Sequence, residues 1–481
     1  MPNPNSLDQN IYRNLAAQIQ SGFYSDGKRF PSAQEIARLF NVSYGPAQRA
    51  LKALEKEGLI RIGRGKETVV LKKPHDNFLE SDTFKNRIAS LIDLSQSLRL
   101  LSPAINIQGM CHMDLEKELD SPLPENNRIE QWRMQYRLFR DALSALGNLT
   151  TLDLYHDINS FIESAFLDIY RMSHIGQENL LLNHLIQDYR KCLENCKNGK
   201  LSEAKKGLEA LATPFHDTIE QYLESLPVDR NIQQVFSWSP QKGRTRYCDM
   251  IAIDLVRKIN HGTFPAGTLL PNGAILADLY HVSGITMRRT IAILNKLGIV
   301  KTVNGVGTRV VSTENTETSD KLKALVLGNN LRIFLEAYQL LVITCGPIIR
   351  LSFPYFPGKQ IQAMREAACM QEPNTAVTAL TSSLLQAIIR YCPLASIKEI
   401  YSKLTLLLLN GSALSYDTPG MDANWLSTSE NLQDALDKKD GNRFASIYNR
   451  LQHDTFILLK SRLNNIGVAG IDQIAIPVFC E

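Results

Sequence analysis

Residues 30–71 of this 481-residue chain occur a second time, 240 positions further on. The first copy reads FPSAQEIARLFNVSYGPAQRALKALEKEGLIRIGRGKETVVL. The second, residues 270–311, reads LPNGAILADLYHVSGITMRRTIAILNKLGIVKTVNGVGTRVV. No gap is needed to lay one on the other. Pro31 falls on Pro271, Ala37 on Ala277, Val42-Ser43 on Val282-Ser283, Gly58 on Gly298, Gly65 on Gly305 and Thr68 on Thr308. A repeat at this spacing exceeds any solenoid period, so it marks a duplicated domain rather than a stacked array. The chain is also too long for one hydrophobic core, and three to four domains are expected.

Each copy has a definite local reading. Ser32 is a good N-cap for a short helix carrying Ile36, Ala37 and Phe40. Asn41 ends that helix and Val42-Ser43 forms a turn. Pro46 suits the first turn of the next helix, where a missing N–H costs nothing. Ala47, Ala50, Leu51 and Leu54 then recur at i, i+3, i+4 and i+7 until Gly58. Residues 59–62 and 68–71 are β-type runs around a turn at 63–67, which predicts a hairpin wing. Ahead of all this, Ile11, Leu15 and Ile19 form a helical stripe, matched by Ile251, Leu255 and Ile259. The reading is a helix-turn-helix with a wing, present twice.

Charge separates these heads from the rest. Residues 1–74 carry +6 and residues 241–313 carry +7, which leaves −9 on the remainder of a chain whose total is +4. Basic heads suit a polyanion, because phosphate contacts supply most of the raw affinity for nucleic acid. The eight cysteines form no CxxC or disulfide framework, so reduced thiols in a cytoplasm are expected. Cys192 and Cys196, four apart, read as two small helix residues. The N-terminus lacks the basic and apolar regions of a signal peptide. The most apolar stretch, 331–353, contains Arg332, Glu336, Gln339, Pro347 and Arg350, which fits a buried helix pair and not a membrane span. There is no P-loop, GxSxG or HExxH motif. No catalytic residue, metal or cofactor is expected.

The predicted organisation is mostly α: two winged helix-turn-helix domains, each followed by an all-helical bundle domain. The heads occupy 8–74 and 244–312. Helical bodies occupy 80–226 and 318–475, and a polar segment with two prolines, 227–243, links the halves. Periodic runs in body one cover 84–101, 130–146, 154–172, 178–197 and 202–226. The bodies also look duplicated. Leu100–Ile105 resembles Ile343–Ile349 and Phe215–Ile219 resembles Gln452–Phe456, at offsets of 244 and 237, so the bodies carry small insertions that the heads do not. A strand-like IAIPVFC run lies at 474–480.

The head pattern resembles that of the GntR family of bacterial transcription regulators. Head one has Pro31-Ser32, Glu35-Ile36-Ala37, Val42-Ser43, Gly45-Pro46, Ala50-Leu51, Glu57-Gly58-Leu59 and Thr68-Val69. Head two has Pro271, Leu276-Ala277, Val282-Ser283, Arg288, Gly298, Gly305, Gly307 and Thr308. The resemblance covers about 140 of the 481 residues and implies a winged fold that binds double-stranded DNA. The family's arginine inside the recognition helix is Gln48 in head one and Arg288 in head two, which implies that the two heads need not read the same half-site. On this basis Tyr44, Gln48 and Arg49, and Thr286, Arg288 and Arg289, are expected at the start of the recognition helices, facing base edges, with Ser43 and Ser283 beside them also expected to bind DNA. Arg64 and Lys66 in wing one, and Asn304 and Arg309 in or beside wing two, are expected on phosphates or the minor groove. Arg29 and Ser32 are expected on backbone phosphate, with an N-cap as the other role for Ser32.

The bodies resemble, more distantly, the FCD-type effector domain of that family, through Ala435-Leu436, Gly441-Asn442 and His453. The family's metal-binding histidine falls on Asn431, and Asp153 and His156 have a spacing one residue short of its Asp-x3-His pair. His156, His184, His216 and His453 are the candidate effector residues. The expected function is a cytoplasmic DNA-binding regulator in which one chain acts as a covalent pseudo-dimer, or forms a homodimer, and senses a small-molecule effector. The alternative is a protein-interaction scaffold or co-regulator with one or both heads degenerate.

Overall fold

The computed structural model describes residues 6–20, 23–24, 26–40, 42–63, 67–71, 78–122, 128–174, 178–228, 233–240, 246–260, 262–311, 316–413 and 425–479. The chain divides into two compact units. Unit 1 is built from the described residues up to 242 together with 392–400, and unit 2 from those of 243–391 and 401–479.

In unit 1, head one comprises α1 (Leu7–Gln20), α2 (Ala33–Leu39), α3 (Tyr44–Lys56) and the wing strands β1 (Ile60–Arg61) and β2 (Val69–Val70). The strands are antiparallel, with Ile60 opposite Val70 and Arg61 opposite Val69. The apolar stripe of α1 closes the head: Ile11 and Leu15 meet Ile36, Ala47, Ala50, Leu51, Leu54 and Ile60. Body one contains α4 (Asp82–Lys85), α5 (Ile88–Met110), α6 (Leu115–Asp120), α7 (Arg128–Ala145), α8 (Leu149–Ile162), α9 (Ala165–Ser173), α10 (Glu178–Lys197) and α11 (Leu201–Glu224). Its longest packing seam runs between α5 and α11.

Two sequence expectations change here. The run expected over 154–172 is two helices, broken at Glu163, whose φ of 52° cannot continue an α-helix. The Glu163 carboxylate there pairs with the buried Arg87 guanidinium at 3.0 Å. Residues 233–240 are a strap laid on body one. Gln234 N donates to Asn86 O at 2.6 Å, Arg87 Nε donates to Gln234 Oε1 at 2.9 Å, and Phe236 and Trp238 are buried. Unit 1 also holds residues 392–400, where the Asp93 carboxylate accepts from Ala395 N and Ser396 N, both at 2.6 Å.

Unit 2 repeats the plan. Head two comprises α12 (Tyr247–Asn260), α13 (Gly273–Leu279), α14 (Gly284–Lys296), β3 (Val300–Val303) and β4 (Gly307–Val310). The wing pairs Val300 with Val310 through Val303 with Gly307. Body two contains α15 (Thr316–Ser352), α16 (Gly358–Ala368), α17 (Pro373–Tyr391), α18 (Ala395–Leu408), α19 (Trp425–Asp437) and α20 (Gly441–Asn465), with the last part of α18 in this unit. Its longest seam joins α15 and α20. In both bodies, then, the first long helix packs on the last, and the matched motifs lie on those helices. Pro103 in α5 and Pro347 in α15 interrupt the hydrogen-bond ladder at corresponding places.

The 474–480 run is not a strand over its described residues. It is an extended strap whose carbonyls are met by side chains: Gln339 Nε2 donates to Ala475 O at 2.7 Å, Lys460 Nζ to Ile474 O, and His453 Nε2 lies 2.8 Å from Pro477 O. Ile474 and Pro477, three apart, are buried on the bundle, while Ile476 is 40% exposed, so no strand-like alternation holds the segment. One helical segment, Val326–Tyr355, is long and apolar enough to cross a membrane by composition, and 89% of its most apolar window is buried inside the protein.

Candidate nucleic-acid interface

The recognition helices are fixed by their buried faces. Ala47, Ala50, Leu51 and Leu54 of α3, and Met287, Thr290 and Leu294 of α14, point into the head cores. At 100° per residue the opposite face of α3 carries Gly45, Gln48, Arg49, Lys52 and Lys56, and that of α14 carries Ile285, Arg288, Arg289, Ala292 and Lys296. Apart from the half-buried Gly45, all of these are exposed. Each head therefore presents one outward stripe with three cations. Lys52, Lys56 and Lys296 extend the stripe beyond the residues expected from sequence. Their signal was helical spacing continued two turns past Gln48 and Arg288. Ile285 was also missed, being apolar at an exposed position.

The caps of the two helices differ. Ser283 Oγ accepts from Thr286 N at 3.2 Å and lies 3.0 Å from Thr286 Oγ1. Both hydroxyls expected to meet DNA in head two thus serve the helix start. Ser43 has no such bond, because the residue three further on is Pro46, which has no N–H to donate. Ser43 is exposed, as is the neighbouring Tyr44 at 50%. Arg49 leans on Asp8 of α1 at 3.3 Å. The corresponding Arg289 has Cys248 where head one has Asp8.

Ser32 takes the capping role. Its hydroxyl accepts from Glu35 N at 3.3 Å, and the Glu35 carboxylate accepts from Ser32 N at 2.8 Å, a reciprocal capping box. Arg29 binds Glu35 at 2.7 Å. The Ser32 backbone donor and then the Arg29 guanidinium pull the Glu35 carboxyl down to about 2. In head two Asn272 caps α13 by accepting from Ala274 N and Ile275 N. Asp254 accepts from Tyr280 Oη at 2.6 Å and pairs with Lys258 at 2.8 Å. Burial raises its carboxyl, but the bonds from Lys258, Tyr280 and Arg257 prevail and bring it down to about 2.

The wings are tied to the recognition helices by the same contact in both heads. Glu55 Oε1 accepts from Ile62 N at 2.9 Å, and Asn295 Oδ1 accepts from Thr302 N at 2.9 Å. Arg64 and Lys66 lie outside the described residues. Asn304 is exposed in the turn of wing two, and Arg309 reaches back to Gly267 O at 2.8 Å while staying exposed.

The candidate effector histidines have separate surroundings. The His156 ring lies tilted against Phe40 of head one with centroids 4.5 Å apart, and its carbonyl accepts from Asn14 Nδ2 at 3.0 Å. Asn10 and Ser239 N both donate to the adjacent Asp157, so α8 meets head one and the strap at one point. His216 is 4% exposed, with Nδ1 2.8 Å from Ser95 Oγ. Burial, then the nearby Arg99, lower its imidazole to about 4. Ser95 Oγ also meets Glu220 at 3.0 Å. His184 is exposed on α10, and His453 joins the 472–479 strap. Among the described residues no cluster of three or more His, Cys, Asp or Glu could hold a metal.

Comparison with known proteins follows the duplication. The family described as bacterial regulatory proteins, gntR family, matches residues 7–70 and again 248–310. An uncharacterized HTH-type transcriptional regulator of Streptomyces coelicolor is 39% identical over 59 residues, which is 12% of this chain and 22% of that protein. The chain thus spans about a fifth of the length of this curated relative. Solved structures similar to it include a GntR of Streptococcus agalactiae (17% identity, TM-score 0.19, 44% of this chain and 99% of that one). A GntR-family transcriptional regulator of Pseudomonas syringae pv. tomato is also similar (16% identity, TM-score 0.18, 45% and 86%).

Proposed function

Because this chain carries two domains of the gntR family of bacterial regulatory proteins, we propose that it is a sequence-specific DNA-binding transcription regulator that brings both heads to one operator. The carrying observation is the outward stripe of α3 and its counterpart on α14, each with three exposed cations on a helix fixed by a closed core. A helix of this kind fits the major groove, and paired heads must sit about one helical turn apart, ~34–36 Å. One polypeptide with two heads raises the effective concentration of the second to the ~mM range once the first has bound.

The helical bodies are read as the effector-sensing part of a cytoplasmic protein. Support comes from the junction at α8, where His156 and Asp157 touch α1, Phe40 and the strap, so that a small molecule shifting α8 would act on head one. Selection of bound duplexes from a random pool, followed by mass measurement of the complex, tests the whole reading. One chain on one two-half-site duplex is expected. Two chains on the shortest bound site would overturn the single-chain version, and failure to enrich any duplex would overturn the DNA reading.

One observation favours a protein contact at head two. Leu269, Ile275 and Val306 are exposed there at positions held by Arg29, Glu35 and Lys66 in head one. Retention of head two by a protein partner, with DNA bound by head one alone, would be the corresponding outcome.

A further inference from the structure

Ile285 is the least expected residue on the recognition surface. It is 57% exposed, in the first turn of α14, on a helix whose other large apolar side chains are at least partly covered. It lies three and four residues before Arg288 and Arg289, so the three exposed residues share one face of the helix. Among the described residues neither arginine has an ion-pair or hydrogen-bond partner. The Ser283 cap and the buried Met287 and Thr290 fix the orientation of that turn. Head one has Gly45 at the same place and so has no side chain there.

An isolated protein leaves this apolar surface in water, on the same helix face as two exposed cations that an anionic partner would attract. Duplex DNA answers both demands. Phosphates and guanine edges satisfy the arginines, and one base alone presents an apolar group in the major groove, thymine with its C5-methyl. We propose that Ile285 is a specificity-determining residue that reads a thymine methyl in the half-site bound by head two, a discrimination head one lacks at Gly45. This rests on the DNA-binding reading of the heads and names the base chemistry that one of them selects.

The test uses the full chain and a duplex selected by it. Each thymine is replaced in turn by deoxyuridine, which removes the methyl and leaves every hydrogen-bonding group in place. At one thymine, in the half-site whose recognition is weakened by Arg288→Ala, affinity should fall about four-fold, the transfer cost of one methyl-sized group. Ile285→Ala, with a shorter apolar side chain, should narrow the difference between the thymine and deoxyuridine duplexes. Ile285→Val should retain the discrimination, which shows that the loss is not a folding defect. Full tolerance of deoxyuridine throughout a tightly bound site would overturn the inference and leave the DNA-binding reading standing. A deoxyuridine effect that persists undiminished in Ile285→Ala would do the same. Absence of any duplex binding would remove both.

Discussion

At the scale of single residues, the two heads keep their frame and exchange their chemistry. Gln48 and Arg288 occupy one exposed position, where glutamine suits adenine and arginine pairs in bidentate fashion with guanine. Arg288→Ala is expected to cost about 1–3 kcal/mol in one half-site only. Binding measured on duplexes mutated one half-site at a time checks this, and losses spread evenly over both halves would contradict it. His216 offers a second test. Its imidazole is lowered from an ordinary value near 6.5 to about 4, so the unfolded chain takes up a proton that the folded chain resists. Unit 1 should therefore lose stability as pH falls from about 6.5 to 4, by up to about 3 kcal/mol. Urea unfolding at several pH values should show this slope, and His216→Gln should flatten it. The resemblance to the family's head pattern pointed to Gln48, Arg49, Arg288 and Arg289, and all four are exposed. It could not show that Thr286 is spent on the Ser283 cap or that Arg49 leans on Asp8, since these depend on partners that only the fold brings near.

At the scale of elements, the heads were legible because every signal in them is local: caps, turn residues, a stripe at helical spacing and glycine at the turns. The bodies were less so. A periodic run over 154–172 looks continuous, and its break at Glu163 answers to Arg87, 76 positions away. The strand-like tail could not reveal that no partner strand exists for its described part. Close helix approach is also invisible to periodicity. Gly109 of α5 lies so near α7 that an added Cβ would stand 2.2 Å from Ala142 O. Gly109→Ala must therefore push α5 from α7, and a loss of about 1–3 kcal/mol or more is expected. Thermal unfolding checks it, and an unchanged midpoint would show that the seam can open freely.

At the scale of the whole molecule, the repeated units differ in how head joins body. Head one closes its own core and meets α8 through Asn10, Asn14 and Phe40. Head two shares one apolar cluster with body two, in which Leu255 and Val256 are grouped with Leu327, Leu331 and Phe334. Head one should then open independently, whereas head two should open only with its body. Hydrogen exchange resolved by segment would show faster exchange in α2 and α3 than in α13 and α14; equal protection would argue against it. The concentration of positive charge in the heads also sets a salt response. With six or more phosphates neutralised, affinity should fall about 10³-fold or more between 50 and 200 mM salt, and a shallow slope would favour protein contact instead. The duplicated plan extends past the heads to the straps, since 233–240 is laid on body one and 472–479 on body two at nearly the offset that relates the heads. In evolutionary terms such a strap is a natural seam. A module bounded by a segment laid along its own bundle can be copied without cutting a helix, and each copy remains whole. Once joined, the copies no longer have to match each other as the identical heads of a symmetric dimer must. Gly45 and Ile285, or Gln48 and Arg288, can then diverge by single mutations, and an asymmetric operator becomes reachable from a symmetric ancestor.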